Sequence, residues 1–361
     1  MSSRRRCARS PAVTPMDDDD LLCEILLRLP PQPSSLPRAS AVCKRWRRLV
    51  SDPAFCRRFR LRHRRNPPLL GFFDKYGGYF EPTLEVPNRI PPGRFSLRLD
   101  DHDDCSLFLG CRHGLFLILL SKPRKVVVWD PITGDKHHIA VPAAFDMEKT
   151  HGLVNGAVLR PAGEDQHFQV VLAGAVGDDI RHVRALACVY SSKTGLWGNL
   201  ISMPLPYEAN GGQGPNGIPI PTMVFTDEAV LAGDSLYWKL VGNLFGILEF
   251  DLVKQSLAMI RVPVDMCGRD KCLKMMRAES GGLGCLIMGD IVPKCSGHSE
   301  ENNVVFLWTM IGVFMINLES LKFKNLFKTN IISYYLPFES VYTSEIRAGG
   351  GQDGADILLD S

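Results

Sequence analysis

Two groupings of side chains in this sequence could do chemistry. Cys267-x4-Cys272, followed by Cys295-x2-His298, offers thiols and an imidazole of the kind that bind zinc. Zinc takes four such ligands converging tetrahedrally, usually from two tight turns. The two pairs differ in spacing, and Gly268-Arg269-Asp270-Lys271 is not a zinc knuckle, so free thiols are expected. Cys111 and His113 lie two apart on what would be one strand face, a spacing that permits a thiol–imidazole pair. No orienting residue or oxyanion device accompanies them. Asp100, Asp101, Asp103 and Asp104 lack the spacing and the glycine of a calcium loop, and His137-His138 reads as loop surface. There is no P-loop, dinucleotide fingerprint or G-x-S-x-G, and Gly281 to Gly284 is too short to cradle a phosphate. A non-catalytic chain without metal or cofactor is expected.

What remains is charge and apolar spacing. Across 361 residues the formal charge is only +3, but residues 1–65 carry +10 and residues 66–361 carry −7. The stretch VCKRWRRLVSDPAFCRRFRLRHRR (Val42 to Arg65) holds ten Lys/Arg against one Asp. It is either a nucleic-acid arm or the hydrated side of a helical module whose apolar side meets a partner. The join near Asn66-Pro67-Pro68 is the natural boundary.

Periodicity chooses between those readings. Leu21, Leu22, Ile25, Leu26 and Leu29 form one helical stripe, with Asp17 to Asp20 at its N-terminus, Arg28 in its last turn and Pro30-Pro31 as its stop. A second helix is predicted from Ser34 or Ser35 onward, with Ala39, Val42, Trp46, Leu49 and Val50 as its apolar positions. Ser51-Asp52-Pro53 opens a third, with Phe55 and Phe59 at i, i+4. A nucleic-acid arm has no reason to hold Leu, Val, Trp and Phe at helical spacing. The module is too small to bury much of itself, so its leftover apolar face is a candidate docking surface.

These residues carry a family resemblance. DLLCEILLRLP (Asp20 to Pro30), then AVCKRWRRLVSDPAF (Ala41 to Phe55), resembles an F-box, with its Leu-rich opening helix, Val-Cys-Lys-x-Trp and Ser-Asp-Pro-x-Phe in the family's order. The resemblance implies binding to the Skp adaptor and, through it, to a cullin-based ubiquitin ligase. Leu21, Leu22, Ile25, Leu26, Leu29, Pro30, Val42, Cys43 and Trp46 would then provide the adaptor contact. One departure stands out: Asp17-Asp18 occupy the place where the family usually has Leu-Pro, which would lower adaptor affinity.

From Leu69 on, helical spacing gives way to short apolar runs bounded by turn residues, such as HGLFLILLS, KVVVWDP, FQVVLAGAV, SLYWKL and FGILEFDL. These read as strands. VVFLWTMIGVFMINL (Val304 to Leu318), broken by Gly312, reads as two buried strands; no run reaches the roughly 18 residues of a membrane-spanning helix. FFDKYGG, VWDPITG, VYSSKTG, EFDLVKQ and MINLESL recur with starts 56, 61, 60 and 66 residues apart. A strand–turn–strand unit at that period predicts a β-propeller of about six blades, with stacked sandwiches as the rival. Trp129, Trp197, Trp238 and Trp308 would pack between blades. The Gly/Pro-rich loop Asn210 to Pro221 reads as a rim insertion suited to binding.

This half is similar to the F-box-associated, kelch-like propeller regions of plant F-box proteins, those of grasses above all. The matching phrases are CRHGLFLIL, VVVWDPITG, VYSSKTGLWG, DSLYWKL and ILEFDL. The resemblance implies a domain that selects a protein target for ubiquitination. The expected organisation is a disordered leader (1–16), the F-box of three short helices (17–65), the all-β domain (66–346) and a flexible tail (347–361). The 11 cysteines show no framework spacing and no apolar signal segment opens the chain, which points to reduced thiols in the cytoplasm or nucleus. Two other functions fit the same residues: nucleic-acid binding through the Arg-rich helices, and a propeller scaffold without ligase association.

Overall fold

The computed structural model describes residues 18–343 apart from internal segments, the longest being 98–105, 147–152, 162–166, 263–270 and 329–333. The expected leader, the expected tail, the acidic run 100–104 and Cys267 lie outside the described residues. The chain divides into two units. One holds Met1–Pro67, Val86–Asn88 and Val341–Ser361; the other holds Pro68–Glu85 and Arg89–Ser340.

The first unit is helical: α1 (Asp19–Leu26), α2 (Ser35–Ser40), α3 (Lys44–Val50) and α4 (Pro53–His63). The expected second helix is thus two. Cys43 takes an extended conformation (φ −164°, ψ 167°), and its Sγ accepts the Trp46 amide at 3.5 Å, so it caps α3 rather than continuing α2. Asp52 caps α4 through the Phe55 amide at 2.8 Å, with Pro53 in the first turn where its missing N–H costs nothing. The core gathers Leu22, Leu26, Leu27, Leu36, Ala39, Val50, Phe55 and Phe59, and also Val341 from the far end of the chain.

The second unit is all antiparallel β, in six sheets among the described residues. The first pairs β1 (Leu69–Asp74) with β2 (Phe80–Pro82). The second runs in order through β3 (Ser106–Arg112), β4 (Leu115–Leu120), β5 (Lys125–Trp129) and β6 (Lys136–Ala140). The third contains β7 (Val154–Leu159), β8 (Gln169–Val176) and β9 (Arg184–Ser191), with β10 (Leu196–Trp197) and β11 (Ile201–Pro204) both paired to β9. In the fourth, β12 (Met223–Val224) and β13 (Val230–Ala232) share one partner, β14 (Ser235–Val241), which continues to β15 (Gly246–Asp251) and β16 (Ser256–Arg261). The fifth is β17 (Lys271–Arg277) with β18 (Leu283–Gly289). The sixth is β19 (Lys294–Ser299), β20 (Val304–Thr309), β21 (Gly312–Asn317) and β22 (Phe323–Phe327). The last strand, β23 (Tyr335–Glu339), returns to pair with β1, so the first sheet is built from both ends of the unit.

The weak sequence repeat is a repeated turn. Asp74 Oδ1 accepts the amides of Tyr76 and Gly77, Asp130 Oδ1 those of Ile132 and Thr133, and Asp251 Oδ1 those of Val253 and Lys254. Asn317 Oδ1 accepts Ser320 in the same way, and in VYSSKTG the Ser191 carbonyl takes the Gly195 amide. A left-handed residue follows each: Gly78, Gly134, Gly195, Gln255 and Leu321, with φ between 53 and 82°. Asx turns of this kind let the chain reverse between strands, and glycine adopts the left-handed step without strain.

Several neighbouring sheets share apolar cores. One cluster joins residues of β3–β5 with β7–β9, a second joins β7–β9 with β12–β15, and a smaller one joins β13 and β15 with β17. Another joins β1 and β23 with β20 and β21. Phe73, Phe116, Trp129 and Phe338 meet between the first and second sheets, Phe73 edge to face with the other three and its centroid 4.6 Å from that of Phe116. Trp129, Trp238 and Trp308 are buried, while half-buried Trp197 donates its indole N–H to the Ala140 carbonyl at 2.9 Å.

Polar bonds also converge on the segment between β12 and β13. Asn155 Nδ2 donates to the carbonyls of Phe225 (2.6 Å) and Asp227 (2.7 Å), and Arg112 Nη2 to Ala229 (2.8 Å). Lys75 Nζ donates to the Thr226 carbonyl, and Glu228 Oε1 accepts the Cys111 amide at 2.8 Å. Lys75, Arg112 and Asn155 are all buried, so these bonds satisfy groups that would otherwise be costly inside. Burial holds the Lys75 ammonium below the usual lysine range, against the pull of Asp227 and Glu228.

Candidate functional site

The start of α1 is fixed by acid groups. Asp18 caps it by accepting the amides of Asp20 (2.8 Å) and Leu21 (3.4 Å), and Asp19 and Asp20 meet the positive end of the helix dipole. Arginines from the following helices clasp its flank. Arg45 Nε lies 2.7 Å and Arg48 Nη2 3.3 Å from Asp19, and Arg58 pairs with Glu24. None of these side chains is buried, so each pair is worth at most about 1 kcal/mol. Part of the basic run therefore serves to orient α1.

That orientation divides the nine expected contact residues. Leu22 and Leu26 are 0% and 1% exposed and form the module's own core. Leu29 and Trp46 are half-buried against the same core. Leu21 and Ile25, one helical turn apart, are each 41% exposed; Val42 is 61% exposed, and Pro30 and Cys43 are exposed as well. The stripe read from the sequence thus has two sides. Leu22 and Leu26 hold α1 in place, and Leu21 and Ile25 are the apolar pair presented outward.

Burial raises the Cys23 and Cys56 thiols above their usual range, and Cys56 Sγ donates to the Val50 carbonyl at 3.2 Å. In the last turn of α4, His63 Nε2 meets the Leu27 carbonyl at 3.0 Å; burial holds its imidazole below the usual range, partly offset by that bond.

In the β-unit the possible catalytic pair is divided between a strand and the turn that follows it. Cys111 is pushed well up, first by burial and then by Glu228 and Glu339, which keeps it a thiol. His113 sits with Gly114 in the two-residue turn between β3 and β4, both left-handed, and its Nδ1 accepts the Arg160 amide at 3.1 Å. Cys295 is buried and donates to the Gly297 carbonyl. Among the described residues no group of three or more His, Cys, Asp or Glu could hold a metal ion, and no helix is long and apolar enough to cross a membrane. The Gly/Pro-rich loop is pinned at its base: Gly212 N donates to the Asn243 carbonyl, and the buried Asn243 side chain exchanges two 2.8 Å bonds with the Glu208 backbone.

Residues 18–58 match the family model "F-box domain". The helical unit therefore carries an F-box, and the large antiparallel β-unit follows it. No curated protein matches the chain. Solved structures with some likeness include the extracellular domain of BT4673 from B. thetaiotaomicron (10% identity, TM-score 0.29, 62% of this chain and 36% of that one). Others are the WD40 domain of SCAP from fission yeast (7%, 0.25, 64% and 43%) and the Malassezia sympodialis allergen Mala s 1 (11%, 0.27, 59% and 59%). This chain thus spans less than two thirds of each of these structures, and the similarity is too slight to define a shared fold.

Proposed function

We propose that this protein is the substrate-recognition subunit of a Skp–cullin–F-box ubiquitin ligase in the cytoplasm or nucleus. The F-box match over residues 18–58, with Leu21 and Ile25 turned outward on a capped α1, is the observation that carries this reading. The exposed pair docks on the adaptor, and the β-unit holds a target protein. Ubiquitin transfer to that target is then accelerated by proximity, with no residue of this chain performing the chemistry.

The β-unit is best read as a six-bladed propeller of the F-box-associated, kelch-like type found in plants. Six sheets in chain order, shared cores between several neighbouring sheets, and a first sheet completed by the last strand all support that architecture. Co-expression with a Skp adaptor and a cullin tests the whole reading. A complex containing all three is expected, and a chain that purifies alone contradicts it.

A second reading has one observation in its favour. Arg57, Arg62 and Arg65 are exposed on or just beyond α4 and carry no ion pair among the described residues. Nucleic-acid binding through them would weaken steeply with salt and fail when the three are replaced by Ser. Salt-independent adaptor capture with no nucleic-acid retention sets it aside.

A further inference from the structure

We infer that Val341 and Thr343 are positioning residues for the docking face of α1, so that this F-box is completed by chain delivered from the far end of the molecule. The inference rests on the adaptor-docking reading for its consequence, but not for its structural content.

The matched segment spans about forty residues, near the size at which a chain cannot bury enough apolar surface to hold itself together. The helical unit makes up the shortfall from elsewhere. Val341 is 5% exposed and belongs to the cluster of Leu22, Leu26, Leu27, Leu36, Ala39, Val50, Phe55 and Phe59. Two residues on, Thr343 is 6% exposed, and its Oγ1 accepts from Arg60 Nη1 of α4 at 2.9 Å. A second return reinforces the first: the Ser34 amide at the start of α2, whose own hydroxyl makes no capping bond, donates to Asn88 Oδ1 at 3.1 Å. Three separated stretches of sequence thus make one folded body.

The consequence for docking follows from helix geometry. Leu22 and Leu26 neighbour Leu21 and Ile25 on α1, so whatever seats the first pair sets the direction in which the second pair points. Val341 belongs to the core that seats Leu22 and Leu26. It follows β23 by two residues, and β23 closes the first sheet against β1. Adaptor competence is therefore tied to the seating of Val341 in the helical core, and a segment of residues 18–58 on its own would lack part of that core.

The test uses the full chain and two readouts. In Val341→Asp a charge replaces a buried methyl pair, so amide exchange in α1 and α4 should quicken by at least about tenfold and affinity for purified Skp adaptor should fall by a similar factor. Val341→Ile should stay within about twofold of the parent in both, since it keeps the apolar contact. Thr343→Val should shift exchange in α4 by about two- to threefold. Unchanged exchange in α1 and α4 of Val341→Asp overturns the inference, as does quickening spread equally over helices and sheets. If the parent chain binds no adaptor, the docking reading fails alone, and the exchange arm still decides whether these residues complete the helical unit.

Discussion

The polar contacts that flank α1 differ in setting from those that converge on residues 225–229. In the helical unit the ion pairs to α1 are solvent-accessible: Arg45, Arg48 and Arg58 grip it from outside, where water and salt weaken each pair. In the β-unit Lys75, Arg112 and Asn155 are buried and bond to backbone carbonyls of one central segment. The small helical module keeps Leu21 and Ile25 outside and holds its shape with solvent-accessible ion pairs. A large β-unit ties its sheets together with polar bonds that have no aqueous alternative.

The comparison is broken most severely by changing the two sides of α1 separately. Leu22→Asp with Leu26→Asp buries two charges in the helical core and should cost more than about 4 kcal/mol, melting α1 to α4 while the sheets persist. Leu21→Asp with Ile25→Asp changes only outward positions, so helix protection by amide exchange should remain near that of the parent. Equal loss in both doubles would remove the distinction between core and face.

The next effect lies in the β-unit. Asn155→Ala leaves the carbonyls of Phe225 and Asp227 without their donor and should destabilise the sheets by about 2–4 kcal/mol in urea unfolding. A change under half a kcal/mol would mean that the convergence on this segment is not structural.

Smaller still is the difference between two left-handed glycines. Gly134→Ala places a methyl group in open space at φ +82°, and strain alone should cost about 1 kcal/mol. Gly114→Ala, at φ +74°, also drives a methyl to 2.7 Å from Ser340 Oγ, and should cost more than Gly134→Ala. The reverse order would contradict the packing described for the β3–β4 turn.

The smallest effect is pH dependence in the helical unit. Because the folded-state value of His63 lies below its unfolded value, the unfolded form takes up the proton first as pH falls. The unit should keep its stability above the ordinary histidine value of about 6.5 and lose some as pH drops through it. Amide exchange in α4 between neutral and mildly acidic pH reads this directly, and His63→Gln should flatten the profile.

Much of this was legible in the sequence where local rules operate. Asp52-Pro53 marked the start of α4, the alternation of apolar runs with Asp- and Gly-bearing turns gave the β-unit, and the five repeated phrases proved to be five related turns. The break at Ala41 to Cys43 carried no proline or glycine to announce it, and apolar spacing runs across it unchanged. Nor does periodicity say which half of a wide stripe is core: Leu21 and Leu22 are adjacent and equally apolar, and only packing separates them. The return of Val341 and Thr343 depends on contacts across nearly the whole chain, which no local pattern encodes.

Binding of purified Skp adaptor to the full chain and to Leu21→Asp/Ile25→Asp, followed by calorimetry, addresses the central assignment most directly. Saturable one-to-one binding by the parent and none by a variant whose helices remain protected is the expected result. Equal binding by both, or no binding by the parent, would contradict it.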